Sequence, residues 1–221
     1  MKSQSVLTGD LVSSSNLGAE AIDKAMATLE HASVHTENWP IAQDQTLGNT
    51  HFTRFQGDGW QALVQASKLD MRVALFMFAT LKAQPSLPET RIAVGQAEME
   101  NISGPNLSDA YGAAFQFSGR ALSEMSRSER LRFDSQDLRE QPILNTFLNF
   151  LDDRIRDWTP EQAEAVSLVI SPDAKTQTTI ASEMGISPQA LSARLNGARW
   201  PTIRELLKQW EMSRPAARDK I

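Results

Sequence analysis

Apolar and polar positions change rhythm along this chain near Arg132. Before that point short apolar runs alternate with segments of helical spacing. Ser5 to Thr8 predicts a buried strand, and Leu17 to Ala32 has the three-and-four spacing of a helix. Pro40 to Asn49 is polar throughout and predicts a loop. His51 to Phe55 and Trp60 to Val64 then form two extended runs around Gln56-Gly57-Asp58-Gly59, a hairpin whose glycines supply the backbone angles of the turn. Lys68 to Ala83 is helical, with Val73, Leu75, Phe76, Phe78 and Leu81 on the apolar side, and Pro85 and Pro88 stop it. Arg91 to Glu98 predicts a strand and Ser103 to Asn106 a loop. Gly112 to Met125 predicts a helix with Phe115, Ser118, Gly119 and Leu122 on related faces. Beyond Arg132 the spacing predicts helices only: Pro142 to Trp158, then a helix capped by Thr159-Pro160 and ended by Ser171-Pro172-Asp173, then a helical pair and a last helix from Trp200-Pro201.

The order β, α, β, β, α, β, α followed by helices predicts an α+β chain: a ferredoxin-like N-terminal domain of split βαβ plan and a small all-α C-terminal domain. We place the first at residues 1–140, a linker helix at 141–158 and the helical domain at 159–221. Within the latter, Thr176 to Asn196 fits the helix-turn-helix template. Ile180, Met184, Leu191 and Leu195 take the inward positions, Ala181 is small where the helices touch, and Gly185 supplies the turn. A second helix starting near Pro188 would direct Gln189 and Ser192 to base edges, with Asn196 at its far end. Arg194, Arg199 and Arg204 would meet phosphates. Residues 176–204 are therefore the expected DNA-binding segment, with a plain protein contact as the alternative use of such a unit.

Composition narrows the setting. The 221 residues are 41% hydrophobic, enough for a real core, and contain no cysteine. Disulfides, thiolate metal sites and cysteine nucleophiles are thus excluded, which fits a reducing compartment. Three histidines occur; His31 and His35 lie four apart on a predicted helix, read as a solvated face rather than a metal site. No signal-peptide core opens the chain, and its longest apolar stretch, Val73 to Leu81, is too short to span a bilayer, so we expect a cytoplasmic protein with no membrane partner. The net charge is −5, yet from Ser171 onward eight Lys or Arg face five Asp or Glu. That basic segment suits a polyanion.

Asp10 and Asp58 are the candidate metal ligands, since two carboxylates at the ends of neighbouring strands suit a hard divalent cation that also holds phosphates. The surrounding residues, Gly9-Asp10-Leu11-Val12-Ser13-Ser14-Ser15, Thr53-Arg54-Phe55-Gln56-Gly57-Asp58, and Asp109-Ala110-Tyr111-Gly112 followed by Gln116 and Arg120, resemble the palm domain of class III nucleotidyl cyclases. Within that group the chain resembles the SatD-like proteins, which join such a domain to a C-terminal helix-turn-helix. The resemblance implies Mg or Mn with a purine nucleoside triphosphate, held by Asp10 and Asp58. Ser13, Ser14 and Ser15 would cradle its phosphates, and Arg54 and Asp109 would contact the base. Gln116 would orient the ribose, and Arg120 would stabilise charge on the transferring phosphoryl group. It also implies a homodimer with sites shared between subunits. The sequence departs from the cyclase pattern at Gln116 and Arg54, which replace Asn and Lys, at Gly59, which is smaller than usual, and in having no Lys between Lys82 and Lys175. Arg127, Arg130 and Arg132 are the available substitutes, with a different geometry.

Two functions compete on these residues. The leading expectation is a nucleotide-sensing transcription regulator in which the nucleotide sets the dimer arrangement and so the spacing of the DNA-reading helices. The rival is an active nucleotidyl cyclase or nucleotidyltransferase regulated by its helical module.

Overall fold

The longest strand, β1 (Lys2–Leu11), extends well beyond the apolar run that predicts it. Its polar start is recruited by pairing, because Lys2 to Leu11 match Met99 to Thr90 residue for residue. The structure is a computed structural model that describes residues 2–42, 44–55, 57–99, 102, 104, 106–136 and 141–214. Gln56 of the expected hairpin, Ser103 and Pro105 of the expected loop, and the basic residues Arg218 and Lys220 lie outside them.

After β1 come α1 (Ala19–Thr36), β2 (Pro40–Ala42) and β3 (Gln45–Thr46). The last two make a small hairpin within the segment expected to be loop. The chain continues with β4 (Thr53–Arg54), β5 (Trp60–Val64), α2 (Asp70–Lys82), β6 (Thr90–Met99) and α3 (Ala113–Glu124). Then β7 (Leu131–Ser135) corrects the expectation of helices only in this region. Arg132 and Asp134 hide an alternation in which Leu131 and Phe133 are both buried. Five helices complete the described residues: α4 (Gln141–Arg156), α5 (Pro160–Val169), α6 (Gln177–Glu183), α7 (Pro188–Gly197) and α8 (Trp200–Ser213). Thr159 does cap α5, in a capping box with Gln162.

The main sheet runs β4-β5-β1-β6-β7, antiparallel except for the β6–β7 pair, which α3 connects. Side chains alternate across it. Leu7, Leu11, Ile92 and Val94 join the core formed with α1 and α2, whereas Val6, Ala97 and Met99 pack with Ala114 at the start of α3. At Gly95 the backbone of α3 rests on the sheet: a Cβ there would lie 2.2 Å from the Ala114 carbonyl oxygen.

A helix that is apolar all round must be covered all round. Eleven residues of α2 are buried, because the sheet and α1 on one side and α5 and α8 on the other enclose it. Its first turn also ties the C-terminal helices down. Buried Asp70 accepts hydrogen bonds from Ser5 Oγ at 2.8 Å and from Trp210 Nε1 at 2.7 Å, and burial raises its carboxyl pKa against the opposing pull of Arg214. Arg72 donates to Glu211 at 2.5 Å and to the Ile170 carbonyl at 2.7 Å. One hydrophobic core therefore runs from Leu7 to Trp210, through the segments expected to be separate domains. No helix among the described residues is long and apolar enough to cross a membrane.

Candidate functional site

Trp60 fixes the end of β1. Its indole lies so close beneath Gly9 that a Cβ there would stand 2.4 Å from Cζ2, so only glycine fits. The indole Nε1 donates to Thr90 Oγ1 at 3.1 Å, and Thr90 Oγ1 donates to the Asp10 carbonyl at 2.8 Å. Since Gly9 pairs with Trp60 across β1 and β5, the Gly57–Asp58 turn sits at the same end of the sheet as Asp10. The two carboxylates expected to act together are thus on neighbouring strand ends.

Asp10 is already engaged. It stands opposite Arg91 in the β1–β6 register, and the Arg91 fork grips it with both arms: Nε on Oδ1 at 2.8 Å and Nη2 on Oδ2. Arg91 Nη1 reaches the Met125 carbonyl at 3.4 Å. The hydrogen bonds to Asp10 raise the Arg91 pKa above its ordinary value, burial opposes them, and the fields of Asp10, Asp58 and Glu129 add to the rise. No group of three or more His, Asp or Glu suited to a metal ion occurs among the described residues. His31 and His35 are exposed, His35 against the Phe76 ring.

The remaining residues of the palm resemblance are spread over both sides of the sheet. Ser13 and Ser15 are exposed and Ser14 half-buried, in a tight turn that Ser13 enters at φ 58°. Arg54 pairs with Asp23 of α1 at 2.7 Å, beside a cavity of about 250 Å³ lined by Met26, Ala27, Glu30 and Phe52. On α3 and the loop before it, Asp109 and Gln116 are exposed. Arg120 lies over the Phe117 ring and binds buried Asp134 of β7 at 2.6 Å and 2.7 Å, where Gln141 also donates. Within one chain, no hydrogen bond or ion pair among the described residues joins Arg54, Asp109, Gln116 or Arg120 to Asp10 or Asp58.

The C-terminal helices make a second candidate. Thr176 and Ser187 cap α6 and α7 by accepting from Thr179 N and Ala190 N. Between the helices Gly185 takes φ 67°, and Ile186 N donates to the Ala181 carbonyl at 3.0 Å. Ile180, Ala181, Leu191 and Leu195 are buried, while Met184 is partly exposed. On the outer side of α7, Gln189 and Asn196 are exposed and Ser192 half-buried, with Asn196 Nδ2 at 3.4 Å from Ser192 Oγ. Arg194 turns back to Glu164 of α5 at 3.1 Å, so it is not directed outward. Arg199 and Arg204 are exposed, and Arg199 begins α8 at φ 58°.

Sequence reasoning missed Arg91 and Asp134, the partners of Asp10 and Arg120. Arg91 meets Asp10 through β1–β6 register and Asp134 meets Arg120 through the packing of α3 on β7; the local signal was a charged residue inside a strand-forming run. Compared with known proteins, the chain matches no family model and no curated protein.

Proposed function

We propose that the chain is a DNA-binding regulator in which α6 and α7 act as a helix-turn-helix with α7 in the major groove. The outer face of α7 carries this reading: Gln189, Ser192 and Asn196 follow one another at three- and four-residue spacing on a rigidly packed helix. Gln and Asn side chains match the donor and acceptor edge of adenine, and Arg199 and Arg204 beside them suit phosphates. Because a single such helix reads few base pairs, the reading takes a homodimer as the binding species.

For the N-terminal part we propose a palm-type, ferredoxin-like unit that senses a purine nucleotide. The strand order β4-β5-β1-β6 with α1 and α2 packed together supports the split βαβ plan. The hydroxyls of exposed Ser13 and Ser15 in the turn after β1, and the exposed Asp109 and Gln116, support the ligand class. Divalent metal fits Asp10 poorly as placed, because both its oxygens accept from Arg91 and a metal there would meet the guanidinium charge. Sensing is preferred to turnover because Arg120 is committed to Asp134.

Selection from a random duplex pool tests the proposal. The full chain should enrich a two-fold-symmetric sequence with half-sites about 10 base pairs apart or a multiple of that. Enrichment should vanish in the Gln189→Ala/Asn196→Ala variant, and ATP or GTP should change the yield for the intact chain. An unenriched pool, or equal enrichment by the variant, refutes DNA reading by α7.

A further inference from the structure

The end of β1 presents the two carboxylates that the cyclase resemblance gives to a divalent cation, and a protein cation is already there. Magnesium asks for oxygen ligands at about 2.0–2.1 Å in near-octahedral array. Arg91 Nε and Nη2 each take one oxygen of Asp10, so an ion bound to either oxygen would stand directly against the guanidinium charge. The pairing is built into the sheet rather than made by chance on its surface. Asp10 and Arg91 are direct cross-strand partners, their side chains are each only 23% exposed, and the Thr90 hydroxyl fixes the Asp10 backbone beside them. A planar fork facing a carboxylate satisfies both oxygens at once, which a lysine does not do. The Asp58 turn lies at the same end of the sheet, since Gly9 pairs with Trp60 across β1 and β5.

We propose that Arg91 is the resident cation of this site: it takes the charge role of a divalent metal between β1 and the Asp58 turn, and its removal uncovers a metal site made by Asp10 and Asp58. Any nucleotide bound by the N-terminal part is then bound without a divalent ion. The proposal rests on the palm reading of Asp10 and Asp58 and not on DNA recognition, so its test uses neither nucleotide nor DNA.

Free Mn²⁺ is measured by electron paramagnetic resonance during titration of the intact chain, with circular dichroism to confirm folding. Wild type is expected to show no site tighter than roughly 1 mM, the weak end of protein oxygen sites. Arg91→Ala is expected to bind Mn²⁺ at least about tenfold more tightly, and Arg91→Ala/Asp10→Asn to lose that gain. Arg91→Met keeps the apolar stem over the sheet and replaces the alanine variant should that unfold. Wild-type binding tighter than roughly 0.1 mM that Asp10→Asn abolishes overturns the proposal. So does a folded Arg91 variant that gains no Mn²⁺ binding. Failure of the chain to bind nucleotide, by contrast, would remove the sensor reading and leave the Mn²⁺ result standing.

Discussion

The sheet end and the outer face of α7 both carry the residue types that chemistry and recognition use, but the fold treats them oppositely. At the sheet three of the expected functional charges are paired with other side chains of the protein: Asp10 with Arg91, Arg54 at the surface with Asp23, and Arg120 with buried Asp134. On α7 the inward residues hold the helix in place and Gln189 and Asn196 are left facing outward. A polar group that already has its partners stabilises a structure and must give them up to bind anything else. The contrast favours recognition at α7 and a supporting role for most charges at the sheet.

Arg120→Ala should cost the most if that contrast is right. Asp134 is 2% exposed, and among the described residues its carboxylate keeps Gln141 as a side-chain partner once Arg120 is gone, so urea denaturation should show a loss of about 2–4 kcal/mol. A residue reserved for catalysis would leave stability unchanged on removal. Gly9→Ala comes next: its Cβ would stand 2.4 Å from Trp60 and 2.5 Å from the Arg91 carbonyl, and such overpacking should cost about 1–3 kcal/mol.

A pH effect should follow from Asp152 of α4, whose pKa burial pushes up to about 7 while the Arg130 and Leu131 amides oppose the rise. The folded pKa lies above the unfolded one, so its contribution is full below about pH 4 and is lost as pH rises toward 7. Melting temperature should therefore fall across that window more in wild type than in Asp152→Asn. Gln189→Ala and Asn196→Ala should be the mildest for stability, within about 0.5 kcal/mol, while weakening DNA binding. A large loss of stability in either would mean that α7 faces the interior of an assembly.

Much of the plan was legible in sequence because periodicity reports burial. Leu191 and Leu195 against Gln189 and Asn196 define the buried and open sides of α7, and Gly185 marks its turn. The α2 run from Val73 to Leu81 announced a helix with an apolar side, although not that it is covered all round. Pairing was less legible. The strand at Leu131–Ser135 was missed because its alternate positions carry Arg132 and Asp134, and with it the Arg120–Asp134 pair, which needs α3 packed on that strand; the Asp10–Arg91 pair depends on register between segments far apart in the chain. The union of the helical C-terminal part with the sheet was equally hidden. Asp70 and Arg72, two charged residues at the start of an apolar helix, contribute to it by reaching Trp210, Glu211 and Ile170, beside the apolar packing of α2 on α5 and α8.

Fluorescence anisotropy with a labelled duplex containing the selected sequence tests the central claim most directly, namely that α7 is the open recognition surface. The intact chain should bind, log affinity should fall linearly with log salt at about 0.9 per phosphate contact, and Gln189→Ala/Asn196→Ala should bind at least about tenfold more weakly with the same salt slope. Binding unaffected by that double substitution, or no binding at low salt, would contradict it.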